Sequence, residues 1–253
     1  MCRWVGYHGA AIRPKELLYE PEHSLIAQST SSQFYENGVN GDGLGLGWYG
    51  SLEAPGVYRN ASPAWGDENL REICEQVESP IFLAHIRAAT DTPVQNTNCH
   101  PFRYGSWIFV HNGFIEGFRH IHRELLLAVD PSLFENIQGS TDSELMFYLA
   151  LTFGLLDDPR LGLERMAGFI EDVGHRHQIT NPVQMTLGLS DGKSLYAVRY
   201  ATGKEVNTLF VSGKTDDIRA LYPEKERLNH FPSNARVVVS EPLAKLPGAL
   251  HEV

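Results

Sequence analysis

Apolar residues along the chain follow two rhythms, a two-residue alternation towards both ends and a three-to-four-residue spacing in the middle. Strand signals open it: Arg3 to His8 follow Cys2 directly, Gly43 to Tyr49 and Gly56 to Arg59 predict a hairpin, and Ile81 to Arg87 and Trp107 to His111 read as mostly buried strands. Helical spacing then takes over. Phe118, Ile121 and Leu125 mark one apolar helix face, Leu145, Leu149 and Phe153 mark another, and a third helix covers Leu161 to Val173. Strands return at Gln184 to Leu189, at Leu195 to Tyr200 across an Asp191-Gly192 turn, at Thr208 to Ser212 and at Arg236 to Ser240. Strands, then helices, then strands predict an α+β fold. Helices between strands are too few for a doubly wound parallel sheet, so two mainly antiparallel sheets covered by helices are expected. The sequence has no repeat, low-complexity tract or Gly/Ser-rich linker, and residues 1–253 are expected to form a single domain.

Composition narrows the functional classes. Hydrophobic residues make up 42% of the chain, enough for a real core, and Lys+Arg 21 against Asp+Glu 31 gives 21 − 31 = −10 with no basic cluster to track phosphates. Nucleic acid is therefore not an expected partner. No apolar run approaches the roughly 20 residues that span a bilayer, and the start MCRWVGYHGA lacks the regions of a signal peptide, which predicts a cytoplasmic enzyme without membrane contact. Cys2, Cys74 and Cys99 form no CxxC pair, so at least one thiol is free; Cys74, in the helical DENLREICEQV, reads as a small buried apolar residue. Neither a metal nor a cofactor is expected. His120 with His122, and His175 with His177, have an i,i+2 spacing that separates side chains on a helix, and nothing completes a ligand shell. Cys99 and His100 are adjacent and point apart, which disfavours them as a nucleophile and base.

Four segments carry candidate chemistry. Removal of Met1 would leave Cys2 with both a thiol and an α-amine, whose ordinary pKa of about 7.7 to 8.0 suits it to exchange the thiol proton without a separate His. In IFLAHIRAAT, alternation places His85 and Arg87 on one face and Phe82, Ala84 and Ile86 on the other; Arg87 at the strand end can hold a carboxylate by two parallel hydrogen bonds or serve a salt bridge, and His85 reads as a hydrogen-bonded core histidine. In WIFVHNGFI, Asn112-Gly113 is either a hairpin turn or an oxyanion hole, and the helical stretch after Gly117 argues against a simple hairpin. In GSTDSE, Thr141 and Glu144 match a capping box. Asp142 in that first turn is favoured by the helix dipole and could also bind an ammonium group.

Taken together and in this order, MCR, NGDGLGLGW, AHIRAAT, NCHPF, HNG and TDSE resemble the class II glutamine amidotransferase domain of the N-terminal-nucleophile hydrolases. Most similar is the stand-alone subgroup with the ergothioneine-pathway γ-glutamyl hydrolases and the YafJ-like proteins. The resemblance implies a four-layer αββα sandwich, Cys2 as the nucleophile, Asn112 and Gly113 as the oxyanion hole, Arg87 on the substrate α-carboxylate and Asp142 on the α-ammonium. It also sets Thr90 near the bound amino acid and Asp42 in a strand-leading Asp-Gly segment. One departure stands out: larger amidotransferases carry an Arg-Gly pair shortly before the matched Asp, whereas this chain reads Gly38-Val39-Asn40-Gly41-Asp42, so the residue that orients the nucleophile there has no clear counterpart.

The expected function is cleavage of the γ-amide of glutamine or a γ-glutamyl compound, with loop residues between Arg13 and Asn40 selecting the leaving amine. Two alternatives stay open. An ammonia-donating subunit would work docked to a separate synthase, and with Met1 retained the domain would bind γ-glutamyl metabolites without cutting them. The partner is a small molecule in each case, with a synthase or self-association as further options.

Overall fold

The computed structural model describes residues 2–31, 39–89 and 92–253. Its strands are β1 (Arg3–Ile12), β2 (Leu44–Trp48), β3 (Gly56–Asn60), β4 (Ser79–Ile86), β5 (Phe102–Tyr104), β6 (Trp107–Ile115), β7 (Val183–Ser190), β8 (Leu195–Ala201), β9 (Phe210–Ser212), β10 (Arg236–Val239) and β11 (Leu250–Glu252). Its α-helices are α1 (Lys15–Leu18), α2 (Leu25–Thr30), α3 (Glu68–Gln76), α4 (Phe118–Leu127), α5 (Asp142–Thr152), α6 (Pro159–Arg176) and α7 (Thr215–Leu221). A seven-stranded sheet runs β11-β9-β10-β1-β4-β2-β3, and a four-stranded sheet runs β5-β6-β7-β8. All recorded pairings are antiparallel.

Three apolar clusters stack these elements into four layers. Val5, Tyr7, Leu44, Leu46, Phe82, Ala84 and Ile86 turn outward from the large sheet onto Leu17, Leu25 and Leu70 of α1 to α3. Trp4, Leu83, Ile108 and Val110 fill the space between the sheets. Phe109, Leu187 and Leu189 turn outward from the small sheet onto Phe147, Leu149, Met166 and Ile170 of α5 and α6. Strand alternation thus separates two cores on one element, as with Leu83 inside and Phe82 and Ala84 outside on β4. Among the described residues no helix is long and apolar enough to cross a membrane.

The expected α+β sandwich is what forms, and the expected strands and helices are present with shifted ends. The stretch taken as loop after Arg13 contains α1 and α2. The Asn112-Gly113 turn does not form: both residues lie inside β6, opposite Thr186 and Met185 of β7. Thr141 caps α5 as expected, its hydroxyl accepting from the Glu144 N–H at 3.1 Å. The Glu144 carboxylate reaches farther back than a capping box requires, accepting from the backbone N–H groups of Gln138 at 3.0 Å and Gly139 at 2.6 Å.

The segment that leads into β5 presses on Gly45 of β2, where a Cβ would stand 1.9 Å from the His100 carbonyl oxygen and 2.9 Å from that of Tyr58 on β3. Neither obstacle can swing aside, because both are backbone. Gly45→Ala should therefore cost about 1–3 kcal/mol or more as the segment before β5 is forced off β2. At Gly50, where nothing lies within 4 Å, alanine should change stability by no more than about 0.5 kcal/mol. Urea midpoints of the two variants against the parent protein test this; equal midpoints for Gly45→Ala and the parent would refute it.

Candidate active site

Cys2 lies immediately before β1, half-buried. Its thiol meets the chain leaving β4: the Ala88 N–H donates to Sγ at 3.4 Å, and Sγ lies 3.6 Å from the Ala88 carbonyl oxygen. Burial raises the thiol pKa, the Ala88 N–H and the Arg87 guanidinium act to lower it, and the Asp142 charge adds to the rise. Arg87 and Asp142, one from each half of the sandwich, are thus both within electrostatic reach of the sulfur. Thr90 lies outside the described residues.

Arg87 follows the last residue of β4 and is buried. Its backbone N–H donates to the Gly43 carbonyl at 2.8 Å, its Nη1 to the Asp42 carbonyl at 3.3 Å and its Nη2 to the Thr92 hydroxyl at 2.6 Å. The Asp42 carboxylate accepts the Ala89 N–H at 2.8 Å. Asp42 therefore braces the turn that carries both Arg87 and the Ala88 groups touching Cys2.

Asp142 opens α5 with its carboxylate already directed. One oxygen accepts from the Ile115 N–H at 2.9 Å and the other from the Ser143 N–H at 2.7 Å. The Ser143 hydroxyl also donates to that second oxygen at 3.2 Å, so the oxygen facing Ile115 retains a lone pair for a further donor. Ile115 is two residues beyond Gly113, so this bond ties the head of α5 to the end of β6. Gly113 has φ +155°, and a Cβ there would meet the Gln184 carbonyl oxygen at 1.9 Å. Only glycine fits so close to β7. The Asn112 carbonyl lies 3.4 Å from both Thr186 Oγ1 and Asn207 Nδ2, and the Trp4 indole N–H donates to the same Thr186 hydroxyl at 3.2 Å. That chain of bonds links the first residues of β1 to β6 across the sheets. Asn207 and Thr186 carry no motif, and nothing in the sequence marks them.

Behind the site, three histidines are buried between the layers. His85 stacks on His100 with ring centroids 4.0 Å apart and bonds through Nε2 to the His111 carbonyl at 3.0 Å, while His111 Nδ1 lies 2.8 Å from the Ser143 hydroxyl. The expected core role of His85 is what the structure shows. Cys99 and His100 do point apart: the thiol faces the Asn60 and Gln95 carbonyls at 3.4 and 3.5 Å, while the imidazole packs between His85 and Phe102. Burial holds His85 down to about 3, pushes His100 well below the usual range, and lowers His111, where the Asp142 charge acts the other way. Among the described residues no three His, Cys, Asp or Glu side chains are placed to hold a metal ion.

Residues 25–210 match the family model described as "Glutamine amidotransferases class-II". This span includes Arg87, Asn112, Gly113 and Asp142 and begins after Cys2. The "Probable glutamine amidotransferase DUG3" of Saccharomyces cerevisiae is 33% identical over 276 residues, covering 96% of this chain and 76% of that protein. A "Gamma-glutamyl-hercynylcysteine sulfoxide hydrolase" of Mycobacterium tuberculosis is 32% identical over 118 residues, covering 46% of this chain and 50% of that protein. Among solved structures, a glutamine aminotransferase class-II domain protein from Silicibacter pomeroyi superposes with a TM-score of 0.75 at 29% identity, over 100% of this chain and 90% of its own. A glutamine phosphoribosylpyrophosphate amidotransferase from B. subtilis, at 15% identity and a TM-score of 0.64, shares the fold.

The buried histidines make the fold acid-sensitive in a defined direction. Unfolded, such rings take up protons below about pH 6.5; folded, they stay neutral to much lower pH, His85 to about 3. The unfolded chain binds more protons across that window, so stability is full above about pH 6.5 and falls as pH drops towards 3, by up to about 1.4 kcal/mol per pH unit for each ring. His100→Phe, which keeps a flat ring for stacking, should flatten the slope by about one proton. Denaturant titrations from pH 7.5 down to 4.5 measure it, and an unchanged slope in the variant would exclude His100 from the effect.

Proposed function

Because the chain belongs to the class II glutamine amidotransferases, we propose that it is a cysteine amidohydrolase that cuts the γ-amide of glutamine or of a γ-glutamyl compound, with Cys2 as an N-terminal nucleophile. The observation that carries this reading is the Cys2 sulfur bonded to the Ala88 N–H, next to the Arg87 cation, with the Asp142 anion also acting on the thiol. An α-amino acid bears the complementary pair on one carbon. Its carboxylate would take two hydrogen bonds from Arg87, already oriented by the Asp42 carbonyl and the Thr92 hydroxyl. Its ammonium would meet Asp142, whose two oxygens are held by Ile115 and Ser143. Fixing both ends of the amino acid directs the γ-amide to the remaining group, the thiol.

In this reaction the α-amine of processed Cys2 takes the thiol proton and Sγ adds to the γ-carbonyl carbon. Charge develops on the carbonyl oxygen. Asn112 and Gly113 would stabilise it, the former by its side-chain N–H and the latter by a backbone N–H that no Cβ shields. The amine nitrogen then takes the proton from the Cys2 ammonium and leaves, giving a γ-glutamyl thioester. Water adds to the thioester, the thiol is restored and glutamate departs. The name of the mycobacterial relative favours a γ-glutamyl substrate larger than glutamine, and the γ-linked amine would then extend away from Arg87 and Asp142.

Two variants test the roles. Cys2→Ala should fold with the parent's stability yet release no glutamate from glutamine or γ-glutamyl amides, and intact mass should show Met1 absent from the active parent; unchanged turnover would end the amidohydrolase reading. Arg87→Lys keeps the charge and loses the two-pronged geometry, so kcat/KM should fall at least tenfold, about 1.4 kcal/mol, on every γ-glutamyl substrate alike. A changed preference among leaving amines would instead place Arg87 beside the leaving group.

A further inference from the structure

The residue after the nucleophile is a buried arginine. Arg3 faces away from the space between the sheets, on the same side of β1 as Val5 and Tyr7 and opposite to Trp4. Its Nε donates to Glu241 Oε2 at 2.7 Å, with side chains 3% and 0% exposed, and its Nη1 donates to the Cys2 carbonyl oxygen at 2.8 Å. Glu241 directly follows Ser240, whose hydroxyl accepts the Trp4 N–H at 3.0 Å and whose own N–H donates to the Trp4 carbonyl at 3.1 Å. Gln28 of α2 lies 3.3 Å from the Glu241 carbonyl. The segment after β10 is thus fastened to the start of β1 by both backbone and charge.

A buried ion pair is a poor way to gain stability, since two apolar side chains of similar size usually do as well. Apolar side chains could not donate a hydrogen bond to the Cys2 carbonyl. We infer that Arg3, oriented by Glu241, is a positioning residue that fixes the Cys2 main chain for attack. This rests on the amidohydrolase reading and extends it to residues that touch no substrate. With the Cys2 carbonyl held by Arg3 and the Arg3 backbone held opposite Ile86, the peptide plane after Cys2 is set. The Cα that carries both amine and thiol can then place Sγ against the Ala88 N–H. Because Arg3 acts from the far side of the sheet, the substrate side stays open.

The test uses the full chain, with removal of Met1 verified by mass. Arg3→Met combined with Glu241→Met removes the pair without leaving a buried charge, and Glu241→Gln removes only the anion that aims the guanidinium. Both should melt cooperatively, and kcat for glutamate release from glutamine and from γ-glutamyl-p-nitroanilide should fall at least tenfold with KM within about twofold. Amide hydrogen exchange of the N-terminal peptide should quicken in both, while the peptide covering β6 keeps its protection. Folded variants with kcat within about twofold of the parent, or a loss confined to KM, would overturn the inference. A parent protein that releases no glutamate from either compound would count against the amidohydrolase reading alone. Positioning would then be judged by exchange, and an N-terminal peptide equally protected in parent and variants would sink it.

Discussion

An N-terminus is ordinarily the loosest part of a chain, because few bonds hold it. Here the first residues after Cys2 form the middle strand of a seven-stranded sheet, with β4 on one side and β10 on the other. That constraint governs the rest of the site. On the proposed reading Cys2 has to be terminal and also rigid, and a central strand directly after it provides the rigidity. The layers follow from it: the strand needs partners on two edges and cover on two faces, which the second sheet and the outer helices provide.

The same packing sets the electrostatics. Burial pushes the Cys2 thiol up and the histidines down, and the Arg87 and Asp142 charges act on the sulfur in opposite directions. Both are tied by hydrogen bonds to backbone, Arg87 through Asp42 and Asp142 through Ile115 and Ser143. Charges held this way need not reorganise when a ligand of complementary shape arrives, which is the condition under which they act most strongly.

Much of this was legible in the sequence, for identifiable reasons. The alternation through IFLAHIRAAT separated His85 from Phe82 and Ala84, because a strand between two cores has to alternate. Thr141 announced the start of α5 because its hydroxyl satisfies an exposed helix N–H. Local signals misled where tertiary demands overrode them. Asn112-Gly113 has the chemistry of a tight turn, yet the glycine serves the close approach of the Gln184 carbonyl within paired strands. The helices α1 and α2, of 4 and 6 residues, are too short to impose a period. Asn207, Thr186 and Glu241 were illegible because each acts on a residue far away in the chain, and only the fold brings them there.

The bond between Arg3 and Glu241 joins positions 238 apart in sequence. Arg3 is therefore made long before Glu241, which follows β10, the strand that supplies the second edge for β1. Until that point β1 can be paired only with β4, and the segment that carries Cys2 stays frayed. Closing so long a loop is slow compared with forming local helices. A chain cut short after β9 would therefore lack both the second edge of β1 and the carboxylate that holds Arg3 against the Cys2 carbonyl.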